Sequence, residues 1–459
     1  MNTKIFKAYD VRGIYPDELD ERAAYSIGRA AAVYLKAKNI AVGRDTRPSS
    51  NVLFTALCKG ISEGGSNVLD LGPAQTPLVY FTSRQSGVDG SVTITASHNP
   101  VNWNGFKITK SDAIPIGEDT GLKDIQALAE KGEWKRLLIH GMNIPTDVRG
   151  RYEDRIASFW DLGDKKYKVV IDAANAMGIL ELPIYKKSGG KVSFSTINCD
   201  PDHPFECHEA NPQKTETLEE LRKKVTEEGA DLGIAYDGDA DRIGFVDETG
   251  AAVPMDLITG LISAPVLVKY PKAVIYYDLR SSMSVKEEIE KNGGIAKECM
   301  VGHAKIKKQM RGDTAAMAGE LSGHYYFREN SFAEMSTLAA IFLMNHMAKT
   351  GKKLSELIAE IKKYHHSGEV NSTVADAPGI MAKLKEKYKD GALIEIDGIK
   401  ISYPDPSGGT LWWFNVRSSN TEPLLRLNVE AKTKEMMEEK RAELLSVING
   451  APTAQAAQA

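Results

Sequence analysis

Ser97 stands in Thr95-Ala96-Ser97-His98-Asn99-Pro100, directly after the strand-like run Ser91-Val92-Thr93-Ile94. A hydroxyl beside an imidazole, in a turn where backbone can approach a ligand, is a candidate phosphate carrier. Such a serine needs a partner to lose its proton, and His98 or Lys107, in Asn104-Gly105-Phe106-Lys107, could provide one. The ordinary alternative is a tight turn, because Ser and Asn-Pro are common turn formers.

Three further constellations add to that inventory. Asp237, Asp239 and Asp241 alternate in Asp237-Gly238-Asp239-Ala240-Asp241-Arg242. A calcium loop is the first reading to test, because Glu248 falls at its twelfth position. It fails: Arg242 occupies the sixth position, where that loop needs glycine, and the flanks are strand-like rather than helical. Three carboxylates with open positions suit Mg²⁺, which is completed by phosphate oxygen and water. A solvated acidic turn is the bland alternative. Glu320 and Ser322, set between glycines, with His324 just after them, can accept from and donate to neighbouring sugar hydroxyls, against a plain helix cap and loop. Arg417, Ser419, Asn420 and Thr421 form a donor-rich tip able to cradle a phosphate, against an ordinary polar turn. Nucleophile, hard-metal site, polyol reader and anion clamp together are what moving phosphate around a sugar requires.

The remainder of the chain bounds this reading. It has 459 residues, too many for one core, with 42% hydrophobic and 26% charged residues. A net charge of -4 argues against a broad nucleic-acid surface, so an anionic substrate must be held by local Arg and Lys. Leu257 to Val268 and Leu338 to Ala348 are too short to span a bilayer and read as core helices. Four cysteines make no disulfide scaffold, and no secretory signal opens the chain, so cytoplasm is the expected compartment. Cys199, His203, Cys207 and His208 are clustered but lack a paired C-x-x-C, which weighs against zinc.

The motifs must be positioned by elements. Ile40 to Asp45, Val68 to Gly72 and Val92 to Thr95 read as strands, with Ser50 to Gly64 helical between them, which implies a parallel sheet faced by helices. The plan restarts at Lys168 to Asp172, closing on Leu232 to Tyr236, and again at Ala273 to Asp278, closing near Ala315 to Ala318. Each round ends in a polar motif, beyond the carboxyl end of a strand, where ligands bind in such sheets. Thr410 to Arg417 and Leu424 to Val429 read as a hairpin, flanked by helices over Ile380 to Lys389 and Lys434 to Val447.

With these residues assembled, the chain resembles the α-D-phosphohexomutase superfamily over nearly its full length. Its start, Phe6-Lys7-Ala8-Tyr9-Asp10-Val11-Arg12-Gly13, and the loop Arg417 to Pro423 are most similar to bacterial phosphomannomutase/phosphoglucomutase. The resemblance implies an α/β fold: three related mixed or parallel-sheet α/β domains plus a smaller C-terminal α+β domain around a central cleft. The expected units are 1–148 with the phosphoserine loop, 149–249 with the metal loop, 250–366 with the sugar loop and 367–450 with the phosphate loop. A flexible tail would follow over 451–459. By that similarity Ser97 would be a phosphoserine and a ligand to Mg²⁺ alongside Asp237, Asp239 and Asp241. Lys107, Arg242 and His98 would surround the transferring group, and Glu320 and Ser322 would read the sugar. Arg417, Ser419, Asn420 and Thr421 would hold the other phosphate, with Tyr9, Arg12, His303 and His324 contacting ligand.

Two departures bear on sugar preference. Arg280 stands where several relatives carry lysine, and Phe332-Ala333-Glu334-Met335 lacks the paired aspartates seen in relatives. The implied activity is interconversion of hexose 1- and 6-phosphates, of mannose, glucose or both, through a hexose 1,6-bisphosphate. Phosphoglucosamine mutase, a metal-dependent sugar phosphatase and a silent sugar-phosphate sensor remain the alternatives. Expected partners are small sugar phosphates, with no nucleic acid and no membrane, in a monomer or small homo-oligomer.

Overall fold

A computed structural model describes residues 1–418 and 424–450; Ser419, Asn420, Thr421 and the expected tail over 451–459 lie outside the described residues. The period-2 runs become strands of four sheets, and the first three sheets repeat one plan. In the first, Asn67–Pro73, Asn39–Arg44 and Gly90–Ile94 run parallel, and Trp103–Lys110 returns antiparallel to Gly90–Ile94. In the second, Val192–Ile197, Tyr167–Asp172 and Leu232–Tyr236 are parallel and Ile243–Asp247 returns. In the third, Ile295–Cys299, Val274–Asp278 and Met317–Gly319 are parallel and Tyr325–Phe327 returns.

The sheets are therefore mixed, where the strand and helix alternation alone implies parallel ones. The physical reason lies in the motifs themselves. The connections 95–102, 237–242 and 320–324 are too short for a parallel crossover, which needs a dozen or more residues, so the chain turns back beside the strand it leaves. Each motif thus becomes the tip of a hairpin. The fourth sheet is antiparallel throughout, with Thr410–Ser418 and Leu424–Ala431 at its centre and helices Ala377–Lys387 and Lys434–Asn449 beside it.

The first three units share one hydrophobic core. Leu78 and Phe81 of the first unit, Val169 and Tyr236 of the second, and Leu261, Leu338 and Phe342 of the third belong to the same buried cluster. Helices Met255–Lys269 and Ser336–Thr350 run through it and are buried along most of their length, as their apolar runs predict. No helix among the described residues is long and apolar enough to cross a membrane. The fourth unit has a separate core built on Trp412, Phe414 and Leu427. Its junction to the third unit is polar: Lys400 Nζ donates to Leu279 O at 2.9 Å and pairs with Glu298 at 2.6 Å, and Met283 N donates to Glu430 at 2.9 Å.

Candidate active site

Ser97 is buried with a left-handed backbone, φ 52°, which an L residue adopts only when its surroundings hold it there. The restraint is Arg47. Its guanidinium donates to the carbonyls of Ser97 at 2.6 Å, Asn99 at 2.8 Å and Pro100 at 2.5 Å, and its Nε pairs with Asp45 at 3.0 Å. A buried arginine with this many acceptors is satisfied, and it makes the turn rigid. Arg12 adds a bond to Asn99 Oδ1 at 2.5 Å.

The aspartate tip packs directly onto this turn. A Cβ on Gly238 would lie 2.2 Å from the Ser97 carbonyl oxygen, so the contact exists only because residue 238 lacks a side chain. As a result Ser97 Oγ donates to Asp237 Oδ2 at 2.8 Å and lies 3.2 Å from His98 Nδ1. Carboxylate oxygens of Asp237, Asp239 and Asp241, all buried, lie within 4.8 Å of one another. Lys107 Nζ bridges Asp239 at 2.6 Å and Asp241 at 2.5 Å. Burial, then the repulsion of Asp239 and Asp241, pushes Asp237 up to about 8. Burial opposes the charge on Lys107, but Asp239 and Asp241 outweigh it and hold the ammonium above its usual range. Lys107 is therefore held as a cation in this arrangement by the two carboxylates it bridges. His98 is kept neutral, far below its ordinary value, by Arg242, by burial and by Arg12.

The three carboxylates fit a hard divalent cation such as Mg²⁺. One ammonium offsets them only in part, and Asp239 Oδ1 is buried with no hydrogen-bond partner among the described residues, an acceptor that lacks a cation. The flanking strands exclude the helical calcium loop. Glu248, its twelfth position, instead accepts from Ser355 N at 3.3 Å. In the Cys/His cluster, His208 is directed at Asp172 at 2.9 Å and His203 at Glu206 at 3.1 Å.

The sugar tip is stitched to the metal tip. His324 Nε2 lies 3.1 Å from Asp241 Oδ1, and Arg242 Nε lies 3.3 Å from the same nitrogen. On its other side His324 Nδ1 faces Ser322 Oγ at 2.9 Å and Glu320 at 3.0 Å. Burial opposes protonation of His324, yet Asp241 and Glu320 push it up to about 9. Burial likewise opposes ionisation of Glu320, but the His324 and Tyr326 bonds bring it down to about 2. Tyr326 OH donates to Glu320 Oε2 at 2.6 Å, which leaves Oε1 the freer oxygen toward a ligand. Tyr9 and His303 meet edge to face, with ring centroids 5.6 Å apart.

Arg280 and Arg417 arrive from the third and fourth sheets. Arg280 pairs with Asp278, and Arg417 Nη2 pairs with Glu369 at 3.0 Å. A cleft of about 550 Å³ joins these elements, lined by Ser97 and Lys107, Asp241 and Arg242, Glu320 and Ser322, and Arg417. All four units therefore contribute to one cavity.

Sequence reasoning missed Arg47, Glu369 and Arg426. For Arg47 a signal existed: Asp10/Arg12, Asp45/Arg47 and Asp278/Arg280 share an Asp-x-Arg spacing, and in each pair the carboxylate orients the arginine Nε, at 2.8, 3.0 and 2.9 Å. Glu369 belongs to no motif. Arg426 lies in a strand that reads as alternating core and surface.

Four family models together match most of the chain. They are described as phosphoglucomutase/phosphomannomutase alpha/beta/alpha domain I over residues 3–136, domain II over 151–250, domain III over 256–364 and the C-terminal domain over 369–447. The chain is 40% identical to a Methanocaldococcus jannaschii protein named phosphomannomutase, covering 97% of each. It is 36% identical to one of the same name from Salmonella montevideo, covering 98% of this chain and 99% of that one. It is also similar to the crystal structure of a phosphoglucomutase/phosphomannomutase family protein from Burkholderia thailandensis, with TM-score 0.88, 28% identity and 98% of each chain covered.

Two outcomes follow from the geometry. Gly238→Ala drives a methyl group into the Ser97 carbonyl and is expected to cost about 1–3 kcal/mol, read as a lower melting temperature. An unchanged melting temperature would mean that the two tips are not in contact. Mg²⁺ is expected to raise the melting temperature, contributing about 2.7 kcal/mol at a hundredfold excess over its Kd. Asp239→Asn should remove that shift, and a variant that kept it would place the cation elsewhere.

Proposed function

The chain belongs to the phosphoglucomutase/phosphomannomutase family and is a hexose-phosphate mutase, an intramolecular phosphotransferase; we propose that it interconverts the 1- and 6-phosphates of mannose and of glucose, with Ser97 as phosphoryl carrier. The mannose assignment rests on the names of the two relatives. The observation that carries the mechanism is the position of Ser97 Oγ, 2.8 Å from Asp237 Oδ2 in a cleft that Glu320 and Arg417 also line.

In the forward half-reaction the free hydroxyl of a bound hexose monophosphate attacks the phosphorus carried on Ser97. The bond from Ser97 Oγ to phosphorus breaks, a bond from the sugar oxygen forms, and the hydroxyl's proton ends, net, on Ser97 Oγ. The hexose 1,6-bisphosphate turns end for end, Ser97 Oγ attacks the other phosphorus, the bond from that phosphorus to its sugar oxygen breaks, and the serine proton ends, net, on that oxygen. Lys107, protonated, and Arg242 stand where charge develops on the transferring oxygens, and Asp237 accepts the Ser97 hydroxyl hydrogen once the serine is free. Mg²⁺, held by Asp237, Asp239, Asp241 and a Ser97 phosphoryl oxygen, would supply Lewis-acid stabilisation of that same charge. Glu320 and Ser322 read the sugar hydroxyls in either orientation, while Arg417 grips the phosphate that is not reacting.

Magnitudes explain the density of cations. Two unit charges about 4 Å apart repel by about 4 kcal/mol at an effective dielectric near 20, and each phosphate carries up to about two charges. A hydrolase would need Ser97 and the metal tip but has no use for a sugar reader and a second anion clamp in the same cleft.

Ser97→Ala is expected to lower turnover of mannose 1-phosphate and glucose 1-phosphate by on the order of 10⁴-fold or more, while the Mg²⁺-dependent melting shift survives. Isomer formation and free phosphate should be measured together in the wild type. Ordinary turnover in Ser97→Ala, or phosphate release outrunning isomer formation, would overturn the reading.

A further inference from the structure

Arg417 and Arg426 are directly opposite each other on neighbouring antiparallel strands of the fourth sheet. Two like charges in that register repel, so the pair needs an anion between or beside them. Glu369, just before the strand Val370–Thr373 on the same sheet, supplies it. Its Oε2 lies 3.0 Å from Arg417 Nη2 and its Oε1 3.1 Å from Arg426 Nη1. Arg280 of the third unit reaches the same carboxylate, with Nη1 3.6 Å from Oε2, while its Nε is committed to Asp278. All four side chains line the cleft that contains Ser97.

The arrangement leaves donors unmet. Arg417 is more than nine-tenths buried, and among the described residues its Nε has no hydrogen-bond partner; Arg426 Nε is buried and likewise without one among them. A carboxylate has only two oxygens in one plane; here Arg426 takes Oε1, and Arg417 takes Oε2 with Arg280 standing farther off the same oxygen. A phosphate offers more oxygens in a tetrahedron, so it can engage both the Nη and the Nε edge of a guanidinium. Three arginines converging on one carboxylate, with buried N–H groups left over, is an anion site occupied by the protein's own side chain.

We propose that Glu369 is a resident counter-ion of a three-arginine phosphate site formed by Arg280, Arg417 and Arg426, and that it gives way when the non-reacting phosphate of the substrate binds. The inference rests on the reading of Arg417 as phosphate clamp, and it adds Arg426 as a ligand and Glu369 as an internal competitor. Such a competitor keeps like charges from repelling in the empty cleft. It also weakens the hold on a bisphosphate, which must leave this site to turn around.

Binding of inorganic phosphate, followed by calorimetry on the full-length protein, tests this without requiring turnover. Glu369→Gln keeps the side chain's shape and removes its charge, and phosphate should then bind several-fold more tightly than in the wild type. Arg426→Gln should bind it several-fold more weakly, and adding Arg426→Gln to Glu369→Gln should abolish the gain. That double variant separates this site from any phosphate held near Lys107. Unchanged or weaker binding by folded Glu369→Gln would overturn the proposal, as would a gain that persists in the double variant. If Glu369→Gln does not fold, Arg426→Gln alone decides, because unaltered phosphate affinity there removes the third arginine from the site. A wild type that bound phosphate in this pattern yet isomerised no sugar phosphate would refute the mutase reading and leave this one standing.

Discussion

Three buried carboxylates crowded beside one serine hydroxyl are the constraint from which the rest of the site follows. Asp237, Asp239 and Asp241 repel one another in a place where water cannot screen them. The protein offsets that repulsion with Lys107 from the first sheet, with a charged His324 from the third, and with an acceptor, Asp239 Oδ1, left for a cation. Arg242 on the same tip adds to this, while Lys107 and His324 come from the first and third units. The electrostatic problem therefore dictates that several hairpin tips must meet, and the shared core of the first three units keeps them together.

The same logic accounts for the backbone. Ser97 is held in a left-handed conformation by Arg47, and Gly238 lets the aspartate tip rest on the Ser97 carbonyl. Both bring the Ser97 hydroxyl close to negative charge, an approach that a mobile turn would relax away from. The fourth unit is built differently. It carries its own core, joins the third through polar contacts, and brings the arginines that pair with Glu369. A unit attached in this way can shift without disrupting the packing beneath Ser97.

The sequence made the chemistry legible wherever it was local. Alternating aspartates after a strand, a serine before His98, and Glu320 and Ser322 between glycines with His324 next to them declare themselves by type and spacing, and each proved to be a hairpin tip facing one cleft. Strands such as Leu232–Tyr236 were equally plain, because buried β runs are short and apolar. What stayed hidden was tertiary. Nothing near Gly238 says that a carbonyl from residue 97 will press on it. Nothing near Lys107 in the sequence shows the two carboxylates that clamp its ammonium, and Glu369 acquires meaning only when three arginines from two units surround it. The mixed character of the sheets was recoverable, since connections as short as 237–242 admit no crossover helix.

The central claim is that Ser97 lends a phosphoryl group and takes one back. Incubating the protein with Mg²⁺ and glucose 1,6-bisphosphate, digesting it, and locating phosphate by peptide mass spectrometry tests this most directly, with a second sample chased by mannose 1-phosphate before digestion. The account predicts a phosphoryl group on Ser97 that the chase removes and delivers to the sugar. Phosphate on a different residue, or phosphate on Ser97 that the chase leaves in place while isomerisation proceeds, would contradict it.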